Sequence, residues 1–427
     1  MTRELTTYCR ICDPQCGLIA TVEDGRLVKV RGDRDHVHSK GFVCTKAQAM
    51  VEVTYDADRL LQPMKRVGGP GEFEPVGWDE ALGDIADRLT AIRHRHGAAA
   101  FATFLGNPPV IDYATAIWFA GFRAALGVRW AYAIGSEDTA SRMAANALLY
   151  GSVALMPVPD LWRTHFVLIL GANPVVSKGS LVSVPQFREA LDSVVQRGGR
   201  VVVVDPRRSE TASHFEHVPV LAGTDTYLLL GILHTLVSED LVDHEFLAAH
   251  TTGYDRLVEL VEPFDADTAA AACRVPSAHI RELARAFAAA PSGVVYGRTG
   301  TCTQRFGTLN NLLQDLVMIL TGNVENEGGL LFGWGPIDFA KFAEKGGFAT
   351  YASDRSRVTN MPDVASMFPS TSLVPDITTP GAGQVRALMT LGCNPVLSSA
   401  GGGAELEAAL EELELHFSLD LYVNETN

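Results

Sequence analysis

LILGANPVVSKGS, residues 168–180, recurs as MTLGCNPVLSSAG at 389–401. Each copy is an apolar run of strand character that ends in Gly-x-Asn-Pro-Val-x-Ser. A second pair follows in the same order. VVVVDPRRSET (201–211) matches HFSLDLYVNET (416–426), with Asp205 and Asp420 at the strand ends and Glu-Thr five and six residues further on. In open α/β folds ligands sit at the carboxyl ends of strands, glycine lets the backbone approach phosphate, and a neighbouring strand-end acid takes ribose or base hydroxyls and amines. Alone, Asn-Pro and Asp-Pro are merely turn formers. Two matches in one order point instead to a duplicated nucleotide-binding half, and so to two nucleotides or one ligand with two nucleotide arms. Cys393 stands where the first copy has Ala172, so no thiol chemistry is needed there.

Around this repeat the chain alternates strands and helices. FVLIL (166–170), VVVV (201–204), GVVYG (293–297) and ALMTLG (387–392) are unbroken apolar runs, the form of parallel strands covered on both faces. VPQFREALDSVVQRGG (184–199) and TYLLLGILHTLVSEDL (226–241) read as helices between them. From Trp78 a helical period places Leu82, Ile85, Leu89 and Ile92 on one face, with Gly97 as a stop. Residues 1–60 alternate short apolar pairs with turn residues, and Asp24-Gly25 predicts a hairpin. Residues 335–383 are rich in Gly, Pro, Ser and Thr and predict a long loop or a crossing between domains. The expected class is α/β: a small N-terminal β-rich module (1–60) followed by two doubly wound, mostly parallel α/β domains, 61–138 with 335–427 and 139–334.

The chain has 427 residues, 47% of them hydrophobic, which predicts a soluble globular protein of two or three domains. A net charge of −15 disfavours nucleic acid or an anionic membrane as main partner, because the summed field repels both. No uninterrupted apolar run approaches about 18 to 20 residues, and the N-terminus shows neither a signal h-region nor a twin-arginine pair, so the cytoplasm is the expected compartment and no membrane segment is expected. Of seven cysteines, Cys273, Cys302 and Cys393 are scattered and read as small core residues. The others, Cys9, Cys12, Cys16 and Cys44, form C-x2-C-x3-C-x27-C with Lys46 just beyond. Three soft thiolates on one turn plus a fourth from a distant loop can enclose a tetrahedral zinc or a cubic iron–sulfur cluster, and spacing leaves both open.

Taken together, the cysteine pattern with Lys46, WDEAL (78–82), GANP, DPRRSET, Gly223-Thr224-Asp225, GRTGTCTQ (297–304), LTGN (320–323) and GCNP resemble the large-subunit family of molybdenum or tungsten bis-pterin oxidoreductases. That family includes formate dehydrogenases, nitrate reductases and dimethyl sulfoxide reductase, and the similarity spans essentially the whole chain. It implies that the four cysteines ligate a [4Fe-4S] cluster, and that a molybdenum or tungsten bis(molybdopterin guanine dinucleotide) fills the two halves. By the same resemblance Asn173, Ser177, Asp205, Arg207, Gly223, Thr224 and Asp225 hold one dinucleotide, and Asn394, Ser398 and Asp420 the other. Gly300 and Gln304 approach the pterins, although Gln304 reads equally well as a helix start. Lys46 lies between cluster and pterin as an electron relay, or else is a solvated loop lysine. The implied activity is two-electron oxidation or reduction of a small-molecule substrate, with electrons passed through the cluster to an electron-transfer protein or subunit.

Two departures qualify the resemblance. Relatives carry a metal-ligating Cys, selenocysteine, Ser or Asp on a loop opening a helix; in GSEDTASRMAANALLYG (135–151) that position is Ala144, and Ala145 replaces the formate dehydrogenase histidine. Formate oxidation is thereby disfavoured. The remaining readings are an oxo or hydroxo group on the metal, an oxygen ligand from Asp138 or Ser141 with Arg142 beside it, or a degenerate site; Asp138 alternatively caps the helix. Relatives also continue into a further β-barrel, whereas this chain stops at Asn427, which predicts a truncation or a separate chain and weak cofactor retention by this chain alone. The rival function is a non-catalytic iron–sulfur electron-relay subunit with the same fold.

Overall fold

The structure, a computed structural model, describes residues 1–427 other than 185 and 334. It divides into two compact units, Met1–Glu137 with Thr350–Asn427, and Asp138–Ala349. The return to the first unit thus falls at residue 350. Helix Phe339–Lys345, begun by Asp338 accepting the Lys341 N–H at 3.1 Å, stays with the residues before it. Much of the expected loop after it is regular. Strands Tyr351–Arg355 and Pro362–Val364 pair antiparallel, and Phe368, Leu373 and Ile377 supply core. Among the described residues no helix is long and apolar enough to cross a membrane.

The first unit opens with an antiparallel sheet of Thr2–Tyr8, Gly17–Glu23 and Arg26–Gly32. Asp24 (φ 47°) and Gly25 (φ 84°) make the tight left-handed turn that Asp-Gly favours between the last two strands. A four-stranded parallel sheet follows, in the order Leu415–Leu419, Ala387–Leu391, Phe101–Leu105, Trp130–Ala133. Alternate residues serve opposite faces. Phe101, Ala387 and Met389 join Leu89 and Ile92 of helix Trp78–His96, while Ala102, Phe104 and Leu388 join Leu373, Ile377 and Leu406. Both faces are covered, which is why these strands read as unbroken apolar runs. The helix from Trp78 buries only its second half: Trp78 and Leu82 are exposed.

The second unit carries a parallel sheet in the order Glu216–Val218, Arg200–Val204, Phe166–Leu170, Gly293–Gly297, enclosed in one large core. Helices Phe187–Gln196, Asp225–Ser238, Ser277–Ala289 and Gly307–Leu320 contribute to it. The helix predicted within 184–199 starts at Phe187; Pro185 lies outside the described residues. The two large sheets share a plan. In each, the strand before Gly-x-Asn-Pro lies between a strand followed by the repeat-matched aspartate, Asp205 or Asp420, and a third strand, 293–297 or 101–105. That third strand follows the motif in one unit and precedes it in the other, so the chain order is permuted.

Candidate functional site

Cys9, Cys12 and Cys16 occupy the loop joining the first two strands, closed by the Cys9 N–H donating to the Cys16 carbonyl at 2.9 Å. Cys44 immediately precedes the short helix Thr45–Gln48. Cys9, Cys16, Leu18 and Ala47 form a buried apolar nest with Phe42, Val43, Cys44 and Met50 around it. Gly17 permits this closeness: a Cβ there would stand 2.3 Å from the His36 ring. Burial pushes the Cys9, Cys12 and Cys16 thiols up, Cys16 to about 11, and the neighbouring thiols push further. Lys46 pulls Cys9 and Cys12 back down. Four thiols within electrostatic reach of one another in an apolar nest form a cation-demanding donor set. Yet among the described residues no three His, Cys, Asp or Glu groups converge as ligands of a single ion. Four bonds of about 2.3 Å to one zinc would hold the sulfurs about 3.8 Å apart. A [4Fe-4S] cluster, which gives each thiolate its own iron, is the other occupant such a donor set can hold.

The duplicated motif forms a duplicated clamp. Gly171 (φ 52°) and Gly392 (φ 58°) turn the chain in the left-handed region after their strands. Each N–H donates to the strand-end carbonyl next door, Gly171 to Val204 at 3.1 Å and Gly392 to Leu419 at 2.9 Å. Asn173 and Asn394 then have matching backbones, φ −124° in both, with ψ 67° and 72°. The Asn173 amide donates to Glu210 (2.6 Å) and accepts from the Thr211 hydroxyl (2.8 Å); Asn394 does the same with Glu425 (2.5 Å) and Thr426 (2.7 Å). Each threonine hydroxyl accepts a loop N–H at 3.2 Å, from Val175 or Val396. Glu210 is held down at about 2 by its own backbone N–H, Arg207 and Asn173. The two asparagines therefore shape the strand-end loops from within. Asp205 accepts the Arg207 N–H (2.8 Å) and Asp420 the Leu421 N–H (2.6 Å), each bracing its own turn.

Sequence reading missed the close backbone crossing beside each clamp. The Gly300 N–H donates to the Gly171 carbonyl at 2.9 Å, and a Cβ on either would lie 2.7–2.8 Å from the other's backbone. In the first unit a Cβ on Gly106 would stand 2.0 Å from the Gly392 carbonyl. The signal was there: Leu-Gly-Asn-Pro-Pro-Val at 105–110 is a shortened relative of the other two motifs. Gln304 links Gly300 to the next helix. Its amide donates to the buried Asp225 carboxylate at 2.6 Å and accepts from Asn310, which in turn accepts from Thr226. Burial pushes Asp225 up despite the Gln304 contact. Gly223 (φ 80°) is exposed with open space where a Cβ would be, and the Thr224 hydroxyl donates to the Leu221 carbonyl. Ser177, Arg207 and Ser398 are exposed.

Three buried polar atoms in the second unit lack a partner among the described residues: Arg298 Nε, Asn311 Oδ1 and Gln314 Nε2. They cluster where strand Gly293–Gly297 ends against helix Gly307–Leu320, the end at which α/β folds bind ligands. Leaving such atoms unmet costs about 1–3 kcal/mol each. A heterocycle edged with N–H and C=O groups, such as a pterin, fits that deficit.

Asp138 ends the short helix Gly135–Asp138 and does not cap helix Ala140–Tyr150; Thr139 takes the cap position without a side-chain bond. The Asp138 carboxylate instead faces Arg298 at 3.7 Å, and Arg298 also donates to the Asp138 carbonyl and to Ser180. Ser141 donates to the Cys302 carbonyl at 3.2 Å. Arg142 turns inward, into a two-point ion pair with Asp315, completed by Asn146 and by the Tyr150 hydroxyl on Asp315 (2.8 Å). Its donors are committed within the fold, a positioning role. Ala144 and Ala145 are buried on the same helix.

Comparison with known proteins follows this geometry. A family model described as molybdopterin oxidoreductase matches residues 59–427, and one described as molybdopterin oxidoreductase Fe4S4 domain matches residues 2–56. The chain is 30% identical to the probable oxidoreductase YoaE of Bacillus subtilis, over 69% of this chain and 42% of that protein. It is 28% identical to the thiosulfate reductase molybdopterin-containing subunit PhsA of Salmonella typhimurium, over 76% and 42%. Formate dehydrogenase H of Escherichia coli is 24% identical over 99% of this chain and 61% of its own length. In fold, acetylene hydratase from Pelobacter acetylenicus superposes with a TM-score of 0.81 at 22% identity, over 98% of this chain and 60% of that one. The chain spans about half the length of the curated relatives it matches.

Proposed function

The chain belongs to the molybdopterin oxidoreductase family and carries that family's Fe4S4 domain, and on that premise we propose that it holds the [4Fe-4S] cluster and both guanine dinucleotide arms of a molybdenum or tungsten bis-pterin enzyme. The observation that carries this reading is the repeated clamp. Two parallel sheets present the same glycine turn, braced asparagine and strand-end aspartate, which suits one ligand with two like arms. Bound there, the metal pterin supplies two-electron exchange with a small substrate, and the cluster passes electrons singly.

The chain's residues hold and orient. Cys9, Cys12, Cys16 and Cys44 enclose the cluster, and Lys46 sets a fixed positive charge near Cys9 and Cys12 that lowers the cost of an added electron. Ser177, Asp205, Arg207, Gly223 and Thr224 meet one dinucleotide; Ser398 and Asp420 meet the other. Asn173 and Asn394 act through the loops they brace. Asp225, through Gln304 and Gly300, fixes the pterin-facing turn, where Arg298, Asn311 and Gln314 offer unmet polar atoms. Asp138, its side chain 40% exposed, is the available oxygen donor on the substrate loop. Formate is disfavoured as substrate, because Ala144 and Ala145 bring neither a metal ligand nor an imidazole.

Those buried alanines also favour a second reading, a relay subunit that keeps the cluster alone. Metal analysis of protein purified without oxygen from cells that assemble the cofactor separates the two. About four irons with molybdenum or tungsten per chain supports the enzyme; iron without either metal, in a full-length or complemented protein, refutes it in favour of the relay.

A further inference from the structure

The first unit holds a cavity of about 460 Å³ against the amino ends of strands Phe101–Leu105 and Trp130–Ala133. This is the end of the sheet opposite the Gly392 turn and Asp420. Arg129, Asp354, Arg355, Arg357 and Asn360 line it, three guanidiniums to one carboxylate. A cavity of that size admits a small metabolite, and the lining selects its charge.

Two of the three guanidiniums are fixed by the fold with an edge left over. Arg129 lies over the Trp130 ring at 4.3 Å and grips Asp354 at two points, 2.9 Å from Nε and 2.8 Å from Nη2. Its Nη1 makes no hydrogen bond among the described residues. Arg357 commits Nη2 to the carbonyls of Asp376 (3.1 Å) and Thr379 (2.6 Å). Its Nε is buried and unpartnered among the described residues: the Asp376 carboxylate lies 4.0 Å away and accepts from the Tyr132 hydroxyl and the Val358 N–H instead. Arg355 pairs with no carboxylate among the described residues and donates to the Asn360 carbonyl at 2.9 Å. The loop between these arginines is closed on itself, since Ser356 Oγ accepts the Met361 N–H at 2.9 Å and bonds the Thr359 hydroxyl at 2.6 Å. A Cβ on Gly383 would stand 3.6 Å from the Arg357 chain and 3.7 Å from Trp130, so glycine keeps that wall open. The donors are held before a ligand arrives, and little ordering entropy is lost on binding.

With Asp376 counted beside Asp354, the surround keeps one positive charge uncompensated. Guanidinium edges match oxyanions in pairs of hydrogen bonds. A phosphate monoester offers three acceptor oxygens and about −1.5 to −2 charge at neutral pH, which suits three open guanidinium edges better than the two oxygens of a carboxylate. We propose that this cavity binds the phosphate group of a small soluble phosphate monoester, with Arg355 as the main contact. Its ligand does not compete with the dinucleotides at the far end of the sheet, and the proposal does not depend on the function proposed above.

The test titrates glycerol 3-phosphate into the holoprotein, whose dinucleotide sites are filled, by calorimetry at fixed low ionic strength. One ester should bind per chain with a Kd of about 1 mM or tighter, and acetate at least tenfold more weakly. Arg355→Gln, at an exposed position, should raise the Kd for the ester about tenfold, as expected for one lost charge-assisted contact. Its melting temperature and iron content should stay at wild-type values. Arg256→Gln removes an exposed guanidinium from the other unit and should leave binding unchanged. No binding by the wild type at about 10 mM ester overturns the proposal. So does unchanged affinity in Arg355→Gln, an equal loss in Arg256→Gln, which would mark a diffuse effect of net charge, or sulfate bound as tightly as the ester.

Discussion

Removing one hydroxyl from each clamp should destabilise both units, the first more than the second. Thr211 is wholly buried and Thr426 is 4% exposed, and each hydroxyl makes two bonds: to Asn173 or Asn394 at 2.8 and 2.7 Å, and from the Val175 or Val396 N–H at 3.2 Å. Valine keeps the shape and deletes both bonds. At about 1 kcal/mol net per bond, less the fraction of a kcal/mol returned by the added methyl, Thr211→Val should lose about 1.5 kcal/mol. Thr426→Val should lose more. Asn173 Oδ1 still receives the backbone N–H of residue 211 at 3.1 Å, whereas the N–H of Thr426 goes to Asn424, leaving Asn394 Oδ1 without that second donor. About 1 kcal/mol more is expected there. The assay is urea unfolding at constant m-value, with serine at both positions as the control. Serine should stay within about 0.5 kcal/mol of wild type. Valine variants indistinguishable from wild type, or serine as costly as valine, would refute the clamp as a stabilising device.

Asp315→Ala strands Arg142 as a buried charge and should cost about 3–5 kcal/mol, lowering the calorimetric Tm by roughly 10 °C in a unit of this size. Arg142→Met with Asp315→Leu should recover most of that loss. Burial, aided by the Arg66 charge, pulls His416 down to about 4 from an ordinary 6.5. The unfolded chain then binds the proton first, so stability is full above pH 6.5 and falls as the pH drops toward 4, by at most about 1.4 kcal/mol per pH unit. His416→Gln should flatten the urea midpoint across that window. Gly17→Ala drives a methyl into His36 beside Cys16 and should at least halve the iron per chain in a colorimetric assay. His36→Ala added to it should restore the iron.

The strands were legible because both faces of each sheet are covered, so the period-two signal collapses into runs such as FVLIL that demand burial. The repeat was legible because the clamp needs the same side chains in both copies. What the copies do was not. Asn173 meets Thr211 and Glu210 from 37 and more residues away, and a sequence shows an amide without its partners. Arg142 shows the same gap, with Asp315 lying 173 residues downstream. Leu82 shares a helical face with Leu89 and Ile92, yet only the latter pair reaches the sheet, since periodicity specifies a face and not how far its neighbour extends. Within 335–383 short strands of irregular register gave no period to read.

The permuted strand order has a kinetic consequence. The second unit is one uninterrupted stretch, 138–349, and can close its sheet while still being synthesised. The first unit cannot. Its central pairing sets Phe101–Leu105 against Ala387–Leu391, so half its sheet must wait, with apolar edges bare, until nearly the whole polypeptide has emerged. A prefolded insert shortens the effective loop that this pairing must close. Refolding from denaturant should therefore show the Asp138–Ala349 unit recovering first, and Trp130, in the late-forming sheet, reporting the slower phase.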